Sequence, residues 1–119
     1  MNFKMWHSAL RVIPRVSVEE WSSLDFVSKW LVSSRAAVLV MTLISGILAG
    51  LFAIRDNLFN SVPWFVLVMG LIMAHAGNNF LNDYTDYVRG VDQKDYYRAL
   101  YGPQPLVDGL MTKTQNITY

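Results

Sequence analysis

From Ala36 to Ile54 the chain reads AAVLVMTLISGILAGLFAI, 19 residues without a charge, closed off by Arg35 on one side and Arg55-Asp56 on the other. As a helix this segment is about 28 Å long, close to the roughly 30 Å hydrocarbon thickness of a bilayer. A 119-residue globule has little interior in which to hide a helix that is apolar all round, so the segment reads as a membrane span. Composition agrees: 16% of residues are charged, 53% are apolar and mean hydropathy is +0.26, whereas a soluble domain has about a quarter of its residues charged. A net charge of +1 argues against a nucleic-acid partner, and the absence of cysteine excludes disulfides, thiolate metal sites and cysteine nucleophiles.

A second apolar run starts at Val62 and continues to Leu81, with Pro63 in a first turn where proline is tolerated and Ser61 available as a cap. Residues 55–61 are enough only for a tight loop, so the two spans form an antiparallel hairpin. Five Lys and Arg residues precede the first span, one (Arg55) lies in the loop, and Arg89, Lys94, Arg98 and Lys113 follow the second. This distribution predicts an inner (plasma) membrane protein with both ends cytoplasmic and the loop outside. Residues 1–35 contain no signal-peptide core and read as a cytoplasmic leader. Within it, Trp21, Leu24, Val27 and Leu31 recur at helical spacing in Val18–Leu31, either as an interfacial helix or as a polar leader with incidental periodicity.

The second helix is expected over 62–89, ending at Gly90, a natural left-handed terminator. At about 42 Å it outruns the bilayer by roughly two turns, which places its polar end at the cytoplasmic rim. At 100° per residue, Asn79, Asn82, Asp83 and Asp86 fall within about 100° of arc, with His75 in the same sector one turn deeper. Carboxylate and amide oxygens are hard ligands that suit Mg²⁺, which takes one or two carboxylates and completes its shell with water and phosphate oxygens. One helix with two acids and two amides is half of such a site. Capping and solvation are the competing reading of the stripe; for His75 a hydrogen bond between helices has the lead, and Tyr84 and Tyr87 read as interfacial belt residues.

The stretch Asn79-Phe80-Leu81-Asn82-Asp83-Tyr84-Thr85-Asp86, followed by Gly90-Val91-Asp92, resembles the first aspartate-rich motif of the UbiA superfamily of intramembrane prenyltransferases. Pro105-Leu106-Val107-Asp108-Gly109 is similar to the Pro-Leu-x-x-Gly element of that family, and Arg35 also fits. Gly90 with Asp92, where many members carry an acid at the position of Gly90, favours the branch that prenylates dihydroxynaphthoate in menaquinone or phylloquinone synthesis. Whether Asp92 reaches the metal stays open.

The resemblance implies an all-α bundle of about nine spans, to which this chain contributes an N-terminal hairpin. It implies transfer of a polyprenyl group from a prenyl diphosphate to an aromatic acceptor resembling 1,4-dihydroxy-2-naphthoate, with Mg²⁺ as cofactor. Asp83 and Asp86 would be the catalytic acids, Asn82, Asp83 and Asp86 the metal residues, and Asn79, Asn82, Lys94 and Arg98 the diphosphate contacts. For Lys94 and Arg98, ordinary positive-inside charge is an equal reading. Gly46-x-x-x-Gly50 would be a close-packing seam. The second aspartate-rich motif and the later spans have no counterpart in residues 90–119, a cytoplasmic loop ending in what resembles the start of a third helix, so a fragment inactive without the remaining helices is the expectation. A non-catalytic two-span hairpin that binds a membrane partner is the alternative, and a cation-transport subunit the least favoured reading.

Overall fold

A computed structural model describes residues 1–92 and 102–119, and everything it describes is helical or irregular. Among the described residues six helices follow in order: α1 (Phe3–Arg11), α2 (Val18–Ser23), α3 (Phe26–Ser33), α4 (Ala36–Arg55), α5 (Ser61–Val88) and α6 (Lys113–Thr118). Helices α4 and α5 form the hairpin, and both are long and apolar enough to cross a membrane. Only 17% of the most apolar window of α4 and 22% of that of α5 is buried, whereas the core helix of a globule would be mostly covered. Met41, Leu51, Phe52, Phe65 and Val66 all face outward. An apolar surface of this kind is stable against hydrocarbon and not against water.

Two glycines bring the hairpin together. A Cβ on Gly46 would lie 2.6 Å from a methyl of Val68, and one on Gly50 would lie 2.6 Å from the indole nitrogen of Trp64. The absent side chains let α4 and α5 approach closely, and the Trp64 indole donates to the Gly46 carbonyl at 2.8 Å across the gap. Further along, Thr42 Oγ1 and His75 Nδ1 are hydrogen-bonded at 2.7 Å, so the imidazole joins the two helices. The loop uses Asn57 at φ 58, and α5 is capped by Asn60, not Ser61, because the Asn60 carboxamide accepts from the Val62 amide. At the far end Gly90, at φ +66, terminates α5 as its position in the sequence predicts.

The leader, read over Val18–Leu31 either as an interfacial helix or as a polar segment with incidental periodicity, is not one continuous helix there. It is three short helices, and the break between α2 and α3 falls at Leu24-Asp25. Asp25 ends the periodicity because its carboxylate accepts from the Ser28 amide and hydroxyl and so starts a new helix. Trp21 and Leu24 therefore do not lie on headgroups. They are buried with Ala9, Val32, Leu106, Leu110 and Met111 in an apolar core beneath the hairpin. The Pro105–Gly109 stretch supplies the other wall of that core, with the Asp108 carboxylate accepting from the Gln104 amide at 2.8 Å to hold the turn. Helix α6 follows, opened by a capping box between Thr112 and Gln115.

Asp25 also accepts from the Asn2 amide at 2.8 Å and from the Trp6 indole at 3.2 Å, which fastens α1 to α3. The Ser28 amide first, and then those of Asn2, the Ser28 hydroxyl and Trp6, hold its carboxyl far below the ordinary value of 3.8. A depressed carboxyl stabilises the folded form above the unfolded pKa and loses that contribution as pH falls below it. The hydrogen-exchange protection factors of α1, corrected for the intrinsic rate, should therefore fall as pH drops below about 3.8, and Asp25→Asn should flatten that dependence.

The glycine seam yields a second prediction. Gly50→Leu should lower the stability of the hairpin by about 1–3 kcal/mol in a steric-trapping or detergent-unfolding assay. Gly70→Ala, where an added Cβ meets nothing within 4 Å, should leave stability unchanged or slightly raised.

Candidate functional site

The polar stripe of α5 lies where the hairpin meets the helical cap, and its residues divide into two pairs. Asn79 and Asp83 are buried and face the α3–α4 junction. The Asn79 amide donates to the Ser34 carbonyl at 2.7 Å, and Asp83 Oδ1 lies 2.6 Å from the Arg35 guanidinium. Asn82 is exposed and Asp86 half-buried. Residues 82 and 86 are one turn apart, with Cβ atoms about 5–6 Å from each other, near enough for two oxygens to share one small cation.

Arg35 is shaped for its contact with Asp83. Its backbone is left-handed, φ 55 and ψ 53, a conformation that costs a non-glycine residue roughly 1–2 kcal/mol. The turn lets the chain leave α3, where Ser34 N–H closes on the Trp30 carbonyl, and enter α4 in a new direction. It also places the guanidinium, 18% exposed, against a carboxylate that is 4% exposed. A pair so desolvated is stable only as a pair, since removing one partner leaves a charge buried without its counterion.

Two further groups frame the site. Asp92 is buried at 6% exposure, and its amide donates to the Asp86 carbonyl at 3.4 Å, which folds the post-helix segment back over the end of α5. On the next face of α5, Trp30, Ala76, Phe80, Tyr84, Asn116 and Tyr119 border an apolar cavity of about 380 Å³. Phe80 and Tyr119 rings lie 6.3 Å apart and Phe26 stacks on Tyr119 at 5.0 Å, so α6 is tied to both α3 and α5. The cavity is large enough for part of an isoprenoid tail or for an aromatic ring.

The arrangement has a limit as a metal centre. Among the described residues no three His, Cys, Asp or Glu side chains converge, so nothing here encloses a cation. The pair Asn82 and Asp86 fits Mg²⁺ as a partial donor set, with the remaining positions left to water or phosphate oxygens. Asp83 fits only if it shares its carboxylate between Arg35 and a cation. Lys94 and Arg98, the expected diphosphate contacts, lie outside the described residues. Arg35 as the partner of Asp83 was not deducible from spacing, because the two are separated by 48 positions; the only sequence signal was a charge placed at the mouth of an apolar span.

A double-mutant cycle checks the ion pair. Asp83→Ala should destabilise the protein by about 3 kcal/mol, because it strands a mostly buried guanidinium. The combination Arg35→Met with Asp83→Leu should recover most of that loss in the same unfolding assay. Compared with known proteins, the chain matches no family model, no curated protein and no solved structure.

Proposed function

We propose that the chain is a membrane hairpin that provides one half of a Mg²⁺-diphosphate site in a UbiA-type prenyltransferase, acting on an aromatic acceptor resembling 1,4-dihydroxy-2-naphthoate. The observation that carries this reading is the stripe itself: Asn79, Asn82, Asp83 and Asp86 share one face of α5 at its polar end, with Asp83 anchored on Arg35 and Asn82 exposed. An apolar cavity bordered by Phe80 and Tyr84 lies at the same end of α5, on a different face of the helix from Asn82 and Asp86.

In this reading the reaction breaks the allylic C–O bond of a prenyl diphosphate, joins the freed carbon to a ring carbon of the acceptor, and releases diphosphate and a ring proton. Mg²⁺, when bound, supplies positive charge against the diphosphate as it departs. Asp86 and Asn82 hold the ion by their oxygens. Asp83 keeps α5 in register through Arg35 and adds its carboxylate at the inner edge, while the guanidinium of Arg35 stands close enough to that edge to attract a diphosphate oxygen. The aromatic wall formed by Trp30, Phe80 and Tyr84 would shelter part of the isoprenoid tail from water. The carboxylates that complete the metal shell come from further helices of the enzyme, which would cover the apolar outer faces of α4 and α5.

One observation favours the second reading, a hairpin without chemistry. Asn79 and Asp83 already have a structural use in fixing α5 to the α3–α4 junction, so half the stripe is accounted for by folding alone. Asp86 distinguishes the two. Asp86→Asn, introduced into the natural gene, should reduce prenyl transfer to dihydroxynaphthoate in isolated membranes by about 10²-fold or more, with the protein still present and integrated. Transfer at the wild-type rate would leave the non-catalytic hairpin. The 119-residue chain alone in proteoliposomes should show no transfer.

A further inference from the structure

We infer that α1 is a membrane-surface anchor, docked by its exposed face on anionic phospholipid headgroups of the bilayer that α4 and α5 cross; this rests on the membrane reading above but not on the enzymatic one. Helix α1, FKMWHSALR, is amphipathic and carries no acid. Met5 and Ala9 pack into the core of the cap, and on the neighbouring sector Phe3 and Leu10 are 65% and 48% exposed. These two lie seven residues apart, within about 20° on a helical wheel, with Trp6 between them and its ring edge-on to Phe3 at 5.0 Å. Lys4 and Arg11, both exposed, follow on the next sector, and neither forms an ion pair among the described residues. An apolar stripe flanked by basic side chains is the pattern of a helix that sits at the headgroup level, with its aromatic rings toward the acyl chains and its cations at phosphate.

Position supports the same occupant. Helix α1 packs against both α3 and α4, and the apolar outward surface of α4 starts in its first two turns at Val38 and Met41. A helix packed on α4, about 10 Å across, cannot lie far from the plane where α4 enters hydrocarbon. The Asp25 carboxylate, by accepting from Asn2 and Trp6, fixes which side of α1 faces the protein and leaves the Phe3–Leu10 side outward. The basic side chains are thus presented where a phospholipid surface would meet them, and the charge complementarity is with anionic lipid.

The chain has no cysteine, so single labelling sites can be added cleanly. Leu10→Cys and Met41→Cys, each carrying an environment-sensitive fluorophore, would be reconstituted as full chains into vesicles with either purely zwitterionic or about one-third anionic phospholipid. Doxyl-labelled lipid and aqueous iodide serve as quenchers. The expected result is a Leu10 probe quenched by shallow doxyl lipid in anionic vesicles, with the docked fraction relative to the free lowered about tenfold by Lys4→Glu with Arg11→Glu. An iodide-open Leu10 probe beside a lipid-quenched Met41 probe would overturn the inference alone. A Leu10 probe shielded from both quenchers would also overturn it, since protein, such as a second copy, would then cover the face. An iodide-open Met41 probe would overturn the membrane reading and this inference together.

Discussion

The buried pair between Arg35 and Asp83 fixes the relation between the cap and the hairpin. A carboxylate on α5 with 4% exposure is met by a guanidinium at 2.6 Å, and Arg35 presents that guanidinium from a left-handed backbone at the entry to α4. The strain at Arg35 and the desolvation of Asp83 are costs that each make sense in the presence of the other. With Asp83 held, the rotation of α5 about its axis is set: Asn79 faces Ser34, Asp86 follows on the same sector, and Asn82 stands at its exposed edge. The same contact therefore decides the fold at this end and the orientation of any chemistry there.

Deeper in the hairpin the register is kept by close helix packing and two hydrogen bonds. Gly46 and Gly50 remove the side chains that would keep α4 and α5 apart, and Trp64 and His75 bridge the two helices by hydrogen bonds. The outer faces contribute nothing to this closure. They are apolar, uncovered and suited to lipid or to other helices.

Much of this was legible in the sequence. The length and lack of charge of 36–54, the proline and glycine that bound α5, and the Gly-x-x-x-Gly spacing each follow from one local rule, and the structure places α4 and α5 within a residue of those limits. The leader was not, because two kinds of helix signal overlapped in it. Asp25 reads as the polar side of one long amphipathic helix, but its side chain instead caps α3 and receives Asn2 and Trp6, so the segment breaks and Trp21 turns inward. Nine-residue α1 was passed over because it is too short to announce itself by an apolar run. At the site, helical spacing assembled the stripe on α5 but could not tell that Asn79 and Asp83 are spent largely on the α3–α4 junction, since Ser34 and Arg35 lie more than 40 residues away.

The central claim is that Asn82 and Asp86, and Asp86 above all, hold a divalent cation against a diphosphate while Asp83 holds the helix. Electron–nuclear double resonance of Mn²⁺, substituted for Mg²⁺ and added with a non-cleavable prenyl diphosphate analogue to the chain in lipid nanodiscs, tests it directly. The account predicts protein-bound Mn²⁺ coupled to ³¹P in the wild type and loss of that signal in Asp86→Asn, whose fold is unchanged. Equal Mn²⁺ binding by the two proteins, or none by either, would contradict it.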